Sequence, residues 1–485
     1  MMRGFTPDAE SNTPGICTNM QNMVPYRAGI EAAATQLDVG GNAVAAAVTG
    51  AATVQLLSGT RRTFAGTGTK LYEFASPAWT DRSVGAGSYT AGSIWQFCQF
   101  GDATIATNYS DAMQHSSIGA FANITGPKAK VVESVVTSGG GFVFAFNTSD
   151  ATYGVSPDRW WCSALNDHTS WTVAAATQCT TGRLLGAGGP IMAAKKFGND
   201  SIVAYKAGSM YHGRYVGGTA IWQFTEIPEV GCVGARAVCD IGFAHFIVAQ
   251  DGFWLYDGSR PVQLGEGQVR QWYADNVAPS VANLVECVYE KDKNRVWVFF
   301  PDSTSTTLNR ALVYHVGTKE WGYVDTAIET ALVYVGSGIS FDGLVGTFDA
   351  QTETGDSSYW TASARNLAVF GTDNKLKTYN GTPGSSYFQT ADSGDGARVS
   401  RLNEMYCTYA LRPTTATGAV YSSHNLGGIE LTGPTGAAND PPAPIGVPGR
   451  FTLMQQGRWH RGQFSFTGGV RVTGYEIPLM PAGRR

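Results

Sequence analysis

Residues Ile247–Gly258 read IVAQDGFWLYDG, which is an apolar run, a turn around Gly252 and a second run rich in aromatic residues. Residues Val203–Tyr211, VAYKAGSMY, repeat this plan with a turn around Gly208. A glycine-containing turn between two β-prone runs indicates a β-hairpin. Five further segments follow the same plan: Phe64–Phe74, Phe100–Tyr109, Gly139–Asn147, Arg295–Trp321 and Leu367–Gly381.

These hairpin units recur at a spacing of roughly 35 to 55 residues, which is typical of the four-stranded blades of a propeller. We therefore predict an all-β fold in which residues 57–383 form a β-propeller of about six blades. An array of β-sandwiches is the alternative architecture. Residues 1–56 are predicted to form an N-terminal segment with an alanine-rich insert. Residues 384–485 are predicted to form a C-terminal β-rich region, with completion of the ring as an alternative role.

Helical periodicity is nearly absent from the chain, which excludes a helical solenoid. The best helix candidate is the short stretch Gln268–Asp275. Tryptophans spread along the chain are expected to pack between neighbouring blades, and these are Trp95, Trp171, Trp222, Trp254, Trp297, Trp321 and Trp360.

The composition is that of a folded β protein rather than of a disordered or coiled-coil chain. Only 15 % of the 485 residues are charged, while 60 are glycine and 12 % are aromatic. The net charge of −4 indicates no general attraction to nucleic acid or to anionic membranes. The uncharged stretch Val39–Leu57 is rich in alanine and glycine, so we do not expect it to span a membrane. No signal peptide is expected from the opening residues.

The eight cysteines are interpreted as buried thiols of a protein from a reducing compartment. No two of them have the Cys-x-x-Cys spacing of a zinc or thioredoxin-like site, and their density is far below that of a disulfide scaffold. Cys232 and Cys239 are the closest pair in sequence and therefore the strongest candidates for an exception.

No complete catalytic or cofactor-binding motif occurs in the sequence. The seven histidines are dispersed, and neither a GxSxG elbow nor a GxxxxGK[ST] loop is present. Ser163–Trp171 comes near the Asp-box turn of sialidases, and Val316–Trp321 comes near a docking turn of quinoprotein dehydrogenases. Each is a single imperfect match that a packing turn explains at least as well. We therefore predict no enzyme activity, no catalytic residue, no cofactor, no bound metal and no small-molecule substrate.

Several segments together resemble the tail hub, or nozzle, proteins of short-tailed bacteriophages, a family that includes packaged-DNA stabilisation proteins. They are the N-terminal Asn12–Pro25, the first-blade hairpin Leu57–Tyr72 and the tryptophan-rich turn Arg159–Trp171. Asp251–Gly258 and Val269–Tyr273 are also similar to turns of that family. The resemblance extends over most of the chain in the order of the blades.

The resemblance implies a structural propeller subunit that assembles as a homohexamer below the portal and the head-to-tail adaptor. Such a ring continues the channel for double-stranded DNA without sequence-specific binding and helps to retain the packaged DNA. It contacts tail fibre or spike proteins and plug or needle proteins. The implied location is the virion tail, assembled in the host cytoplasm.

Two segments depart from the pattern of that family. The alanine-rich Ala28–Ala52 and the proline-rich loop Gly433–Gly449 are interpreted as contact loops of this lineage. The alternative functions are a receptor-binding or fibre-base propeller of a phage tail and a propeller glycosidase.

The basic residues of the C-terminal region are unusual. From Gly384 onward there are nine arginines and no lysine, against six acidic residues. The planar guanidinium group favours fixed bidentate contacts, and arginine is enriched in interface cores. We therefore predict that Arg450, Arg458, Arg461 and Arg471 lie at a protein interface. The competing interpretation places these arginines on the DNA path, where they would bind phosphate.

Overall fold

The computed structural model describes residues 2–27, 29–92, 94–336, 365–426, 434, 436–439 and 448–483. Strands account for 57 % and helices for 4 %, which confirms the all-β prediction. Within these residues the one α-helix is Arg270–Asn276, where the sequence indicated a helix. Two short 3-10 helices are Val84–Ala86 and Pro279–Leu284. In this part of the chain no helix is long and apolar enough to cross a membrane.

The N-terminal segment contributes four short strands, and each of them pairs with a strand that lies far along the chain. They are β1 (Cys17–Gln21), β2 (Met23–Tyr26), β3 (Gly29–Ala32) and β4 (Thr35–Asp38).

The next part of the chain forms four-stranded antiparallel sheets, here called blades, in which strands adjacent in sequence are adjacent in the sheet. Blades 1 to 4 each use four consecutive strands. Blade 1 comprises β5 (Val48–Gln55), β6 (Arg61–Thr67), β7 (Leu71–Ala75) and β8 (Ala78–Asp81). Blade 2 comprises β9 (Gln96–Phe100), β10 (Ala103–Thr107), β11 (Gln114–Ser116) and β12 (Ala122–Asn123). Blade 3 comprises β13 (Lys128–Thr137), β14 (Gly140–Asp150), β15 (Gly154–Cys162) and β16 (Thr180–Arg183). Blade 4 comprises β17 (Ile191–Lys196), β18 (Ser201–Lys206), β19 (Ser209–Gly217) and β20 (Ile221–Pro228).

Three more blades follow, and the last one takes its fourth strand from the N-terminal segment. Blade 5 comprises β21 (Val238–Asp240), β22 (His245–Ala249), β23 (Gly252–Tyr256) and β24 (Pro261–Leu264). Blade 6 comprises β25 (Glu286–Glu290), β26 (Arg295–Phe300), β27 (Arg310–His315) and β28 (Glu320–Asp325). Blade 7 comprises β29 (Thr330–Val335), β30 (Arg365–Phe370), β31 (Leu376–Gly381) and the N-terminal β4.

The first strands of the seven blades pack side by side around a closed ring, because β29 of blade 7 contacts β5 of blade 1. The described residues therefore form a β-propeller, which confirms the predicted architecture, with seven blades where the sequence suggested about six. We call the end of the ring at which the inner strands finish the top, and the end at which they begin the bottom.

Two predicted boundaries shift. The propeller begins at Val48 rather than at residue 57, because the alanine-rich stretch forms the inner strand β5. The ring is completed by β4, whose Leu37 pairs with Thr378 of β31, and not by residues 384–485. This closing strand was not predicted, because Thr35–Asp38 lies more than 300 residues from its partner in the sequence. The hairpin of blade 7 is the predicted unit Leu367–Gly381.

The C-terminal region forms a β-sandwich with strands of the N-terminal segment. Its C-terminal strands are β32 (Ser385–Thr390), β33 (Ser393–Gly394), β34 (Val399–Leu411), β35 (Thr415–Ser423), β36 (Gly436–Asn439), β37 (Gly449–Gly457), β38 (Trp459–Thr467), β39 (Arg471–Glu476) and β40 (Leu479–Gly483). One sheet has the order β1-β32-β38-β35-β36, with β33 paired to β38, and the other contains β39, β34 and β37, with β40 paired to β34. Phe451 and Phe464 meet between the sheets with ring centroids 5.4 Å apart.

The sandwich and the propeller share one continuous sheet. The order β28-β2-β3-β39 runs from the outer strand of blade 6 through two N-terminal strands into the sandwich. The N-terminal segment thus binds both parts of the fold together. Residues 433, 435 and 440–447 of the predicted proline-rich loop, Ala28 of the alanine-rich segment and the predicted packing residue Trp360 lie outside the described residues.

Aromatic side chains fill the contacts between neighbouring blades, as the sequence predicted. Trp297 of blade 6 lies against Tyr379 of blade 7, with ring centroids 4.9 Å apart. Trp160 of blade 3 lies 4.8 Å from Phe224 of blade 4. Each such pair contributes about 0.5–1.5 kcal/mol beyond its area of burial.

Two glycines of blade 1, Gly50 and Gly66, pack against Trp95, which is fully buried. A Cβ atom on Gly66 would lie 2.3 Å from the indole ring of Trp95, and one on Gly50 would lie 2.2 Å from its carbonyl oxygen. The indole also donates a hydrogen bond of 2.8 Å to Thr67 O. Glycine is therefore required at these two positions for close packing.

Replacing Gly66 by alanine is expected to lower the free energy of unfolding by about 1–3 kcal/mol, the usual cost of overfilling a packed core. Gly68 is the matched control, since a Cβ there would meet only Gly92 N at 3.6 Å. Gly68→Ala should change stability by less than about 0.5 kcal/mol. Urea unfolding followed by tryptophan fluorescence measures both, and equal midpoints for the two variants would contradict this packing argument.

The cysteines give a second expected result. All eight are buried as thiols, and burial raises the pKa of Cys162 and of Cys232 to about 12. Because the thiolate is the reactive form, the native chain should react with a thiol reagent very slowly. Titration of the unfolded chain should find eight thiols, whereas a count of six or fewer would contradict the assignment.

Candidate functional site

The candidate site is the axial channel enclosed by the inner strands of the seven blades. A cavity of about 460 Å³ opens at the top, where Glu133, Lys195, Asp240 and Arg365 come together from blades 3, 4, 5 and 7. A second cavity of about 310 Å³ opens at the bottom and includes Lys130. Both have the size of a small-molecule site.

An ion pair near the bottom of the channel joins three blades. The Glu286 carboxylate is paired with Arg236 and accepts hydrogen bonds from Thr330 Oγ1 at 2.8 Å and from Ala331 N at 2.7 Å. Glu286 is only 1 % exposed. Burial raises the pKa of this carboxyl group, and the Arg236 guanidinium opposes that effect. Removing one partner would leave a buried charge, so we interpret this cluster as a structural tie between blades 5, 6 and 7.

Higher in the channel, positive charge exceeds negative charge. Lys195 Nζ lies 3.7 Å from Glu133 Oε2, and burial raises the pKa of the Glu133 carboxyl group against the opposing effect of Lys195. Lys196 and Lys291 also line this cavity and are exposed. The top of the channel therefore offers groups that bind anions.

Most of the histidines lie apart from one another, and two of them contact buried tyrosines. His245 Nδ1 lies 2.6 Å from Tyr205 Oη and its Nε2 lies 2.9 Å from Lys196 O. His212 Nδ1 lies 2.9 Å from Tyr256 Oη. Across the described ranges, no group of three or more His, Cys, Asp or Glu side chains is arranged to hold a metal ion.

The structure does not bring the four predicted interface arginines into one patch. Arg461 is buried, with Nε 2.7 Å from Asp392 Oδ1 and Nη2 3.1 Å from Asp392 Oδ2. Arg471 Nε lies 2.9 Å from Glu31 Oε2, and Arg295 binds the other oxygen of the same carboxylate at 2.7 Å. Both guanidinium groups thus pair with carboxylates of the chain itself.

The other two arginines are more accessible. The Arg450 side chain is 58 % exposed and is paired with Glu404. Arg458 lies in the turn between β37 and β38 and is partly exposed. An interface role for Arg450, Arg458, Arg461 and Arg471 stays a prediction.

Several exposed large apolar side chains lie on turns at the top of the ring. Each of six is at least half exposed and each lies on a turn or strand end of blades 1 to 5. They are Leu57, Ile118, Val136, Val173, Val216 and Phe243. Sequence reasoning missed this feature because the turns lie far apart in the chain and only the ring places them at one end.

Comparison with known proteins yields only distant structural likeness. No family model matches the chain, and no curated protein matches it. The N-terminal part of BBS1 in complex with ARL6 is 10 % identical, with 72 % of this chain and 96 % of that chain covered and a TM-score of 0.42. YCF48 from Cyanidioschyzon merolae is 11 % identical, with 72 % and 98 % covered and a TM-score of 0.39. YCF48 bound to a D1 peptide is also 11 % identical, with 74 % and 97 % covered and a TM-score of 0.38.

The near-match to an Asp-box has a structural explanation. Ser163–Trp171 belongs to the loop between β15 and β16 of blade 3, and Trp171 is buried there with its indole nitrogen 3.0 Å from His168 O. The Asn166 side chain accepts a hydrogen bond of 2.8 Å from Gly141 N. These contacts are those of a packing turn.

Proposed function

We propose that this chain is the tail hub, or nozzle, subunit of a short-tailed bacteriophage. Six copies form a ring below the portal and adaptor that continues the DNA channel and helps to retain packaged DNA. The resemblance of the N-terminal segment, the first-blade hairpin and the Arg159–Trp171 turn supports this proposal. No catalytic role is proposed for any residue.

The exposed apolar side chains on turns at the top of the ring are the observation that most supports an assembly role. Ile118 is 91 % exposed and Leu57 is 81 % exposed. Apolar area removed from water contributes about 25 cal/mol per Å², so a partner that covers these side chains stabilises an assembly. Because these turns are anchored at strand ends, a partner covers them without the entropic cost of ordering a flexible loop.

In this proposal the DNA path belongs to the assembly and not to the single propeller. The axial cavities hold about 460 Å³ or less. A duplex does not fit into spaces of that size. In the proposed ring, DNA passes along the axis between the six subunits, and the net charge of −4 on each subunit limits its adhesion to phosphate.

The proposal predicts a six-fold ring for the purified chain, seen by light scattering coupled to size exclusion and by negative-stain microscopy. Ile118→Asp combined with Phe243→Asp should reduce the hexamer at least about tenfold, since charges at an apolar contact cost several kcal/mol. Val155→Asp with Leu185→Asp is the matched control, because both residues are similarly exposed but lie on bottom turns.

Each outcome decides one part of the proposal. A monomer at every concentration would contradict the hexameric hub. Rings that persist in the top-end variant, or rings lost equally in the bottom-end control, would contradict the placement of the subunit contact at the top.

A further inference from the structure

Two histidines from neighbouring blades meet near the top of the ring. His115 lies on β11 of blade 2 and His168 lies in the β15–β16 loop of blade 3, and both are partly exposed. His115 Nδ1 and His168 Nε2 are 3.0 Å apart, with ring centroids 5.0 Å apart. The two histidines are 53 positions apart in the sequence, so motif analysis did not reveal the pair.

The loop that carries His168 is held firmly in place. The buried Trp171 donates its indole hydrogen to His168 O, and Asp167 Oδ1 accepts hydrogen bonds from Thr169 N at 2.9 Å and Thr169 Oγ1 at 2.6 Å. The Phe100 ring lies 5.7 Å from the His168 ring. His115 is fixed by the pairing of its strand with Ile105. The two imidazole rings are therefore preorganised, which is what a ligand site requires.

We propose that His115 and His168 form a two-imidazole site for a divalent transition-metal ion of the nickel or copper type, which bridges blades 2 and 3. Bonds of about 2.0–2.1 Å from two nitrogens 3.0 Å apart enclose an angle of about 95° at the metal. That angle fits neighbouring positions of an octahedral or tetragonal ion better than the wider angle of tetrahedral zinc. Water completes the coordination, and the Asp167 carboxylate next to His168 adds favourable charge.

The hydrogen-bonding distance between the two facing nitrogens means that one N–H lies between the rings. On metal binding this proton moves to the outer nitrogen of its own ring, so both facing nitrogens donate a lone pair and no proton is lost. The site does not depend on the proposed function of the chain.

Calorimetric titration of the purified full chain with NiCl₂ tests this site. We expect one ion per chain, and His115→Gln and His168→Gln should each weaken binding at least about tenfold, as loss of even an outer partner of a metal ligand does. His424→Gln, which removes an exposed histidine, should leave binding unchanged. The melting temperature without metal verifies that each variant is folded.

A spectroscopic measurement identifies the ligands directly. Bound Cu²⁺ should show hyperfine coupling to two imidazole nitrogens by electron paramagnetic resonance, and to one in either variant. Absence of nickel binding, or binding that is equal in the wild type and in both variants, would overturn the proposal.

Discussion

Replacing Arg461 by alanine is expected to destabilise the C-terminal sandwich by about 3–5 kcal/mol, the usual cost of removing one partner of a buried ion pair. Asp392 is 3 % exposed, and the two charge-assisted contacts from Arg461 are 2.7 and 3.1 Å long. Without the guanidinium group, the carboxylate would remain buried and uncompensated. Urea unfolding should show a clear fall in the midpoint.

Arg450→Ala is the matched control for this substitution. Arg450 belongs to the same sandwich and also pairs with a carboxylate, but it is 58 % exposed. Exposed ion pairs contribute about 0–1 kcal/mol, so its midpoint should barely move. The double variant Arg461→Met with Asp392→Leu should recover much of the loss, because apolar replacement of a buried pair is often neutral. A cost below about 1 kcal/mol for Arg461→Ala would refute the argument.

The buried Arg461–Asp392 pair affects any test of the predicted arginine interface. Assembly lost on substitution of Arg461 would reflect an unfolded sandwich rather than a missing contact. Arg450 and Arg458 are the informative positions. Their joint replacement by alanine should impair ring assembly without lowering the unfolding midpoint, while binding to duplex DNA stays weak at all salt concentrations.

Lowering the pH from 6.5 to 4 is expected to reduce the free energy of unfolding by about 3 kcal/mol, because the unfolded chain protonates His245 before the folded chain does. Burial lowers the pKa of this histidine from 6.5 to about 4. Lys196 O only accepts hydrogen bonds, so His245 Nε2 carries the proton and Nδ1 accepts from Tyr205 Oη. Below pH 6.5 the unfolded chain therefore binds a proton that the folded chain does not. The contribution is complete above pH 6.5 and is lost as the pH falls towards 4, at about 1.4 kcal/mol per pH unit.

The measurement compares the free energy of unfolding of the wild type and of His245→Gln across this pH range. The advantage of the wild type should shrink by about 3 kcal/mol between pH 6.5 and 4. His424→Gln, at an exposed position, should run parallel to the wild type. A constant difference between the wild type and His245→Gln would contradict the role assigned to His245.

Local sequence patterns determine the hairpins and much of the core of this protein. Glycine turns such as Gly252 and the aromatic runs beside them determine hairpins by themselves, because turn geometry and alternation act over a few residues. From these units the all-β propeller followed without any knowledge of contacts. The burial of the cysteines and the packing of tryptophans such as Trp297 between blades followed from their apolar character.

The closure of the ring by Thr35–Asp38 and the sheet shared with the sandwich were decided only by the tertiary structure. Each depends on pairing between residues hundreds of positions apart, for which the sequence carries no local signal. The same holds for the pairing of Arg461 with Asp392 and for the meeting of His115 with His168. Composition shows that arginine or histidine is present, but only the fold decides which charge or ring nitrogen lies within hydrogen-bonding distance of another.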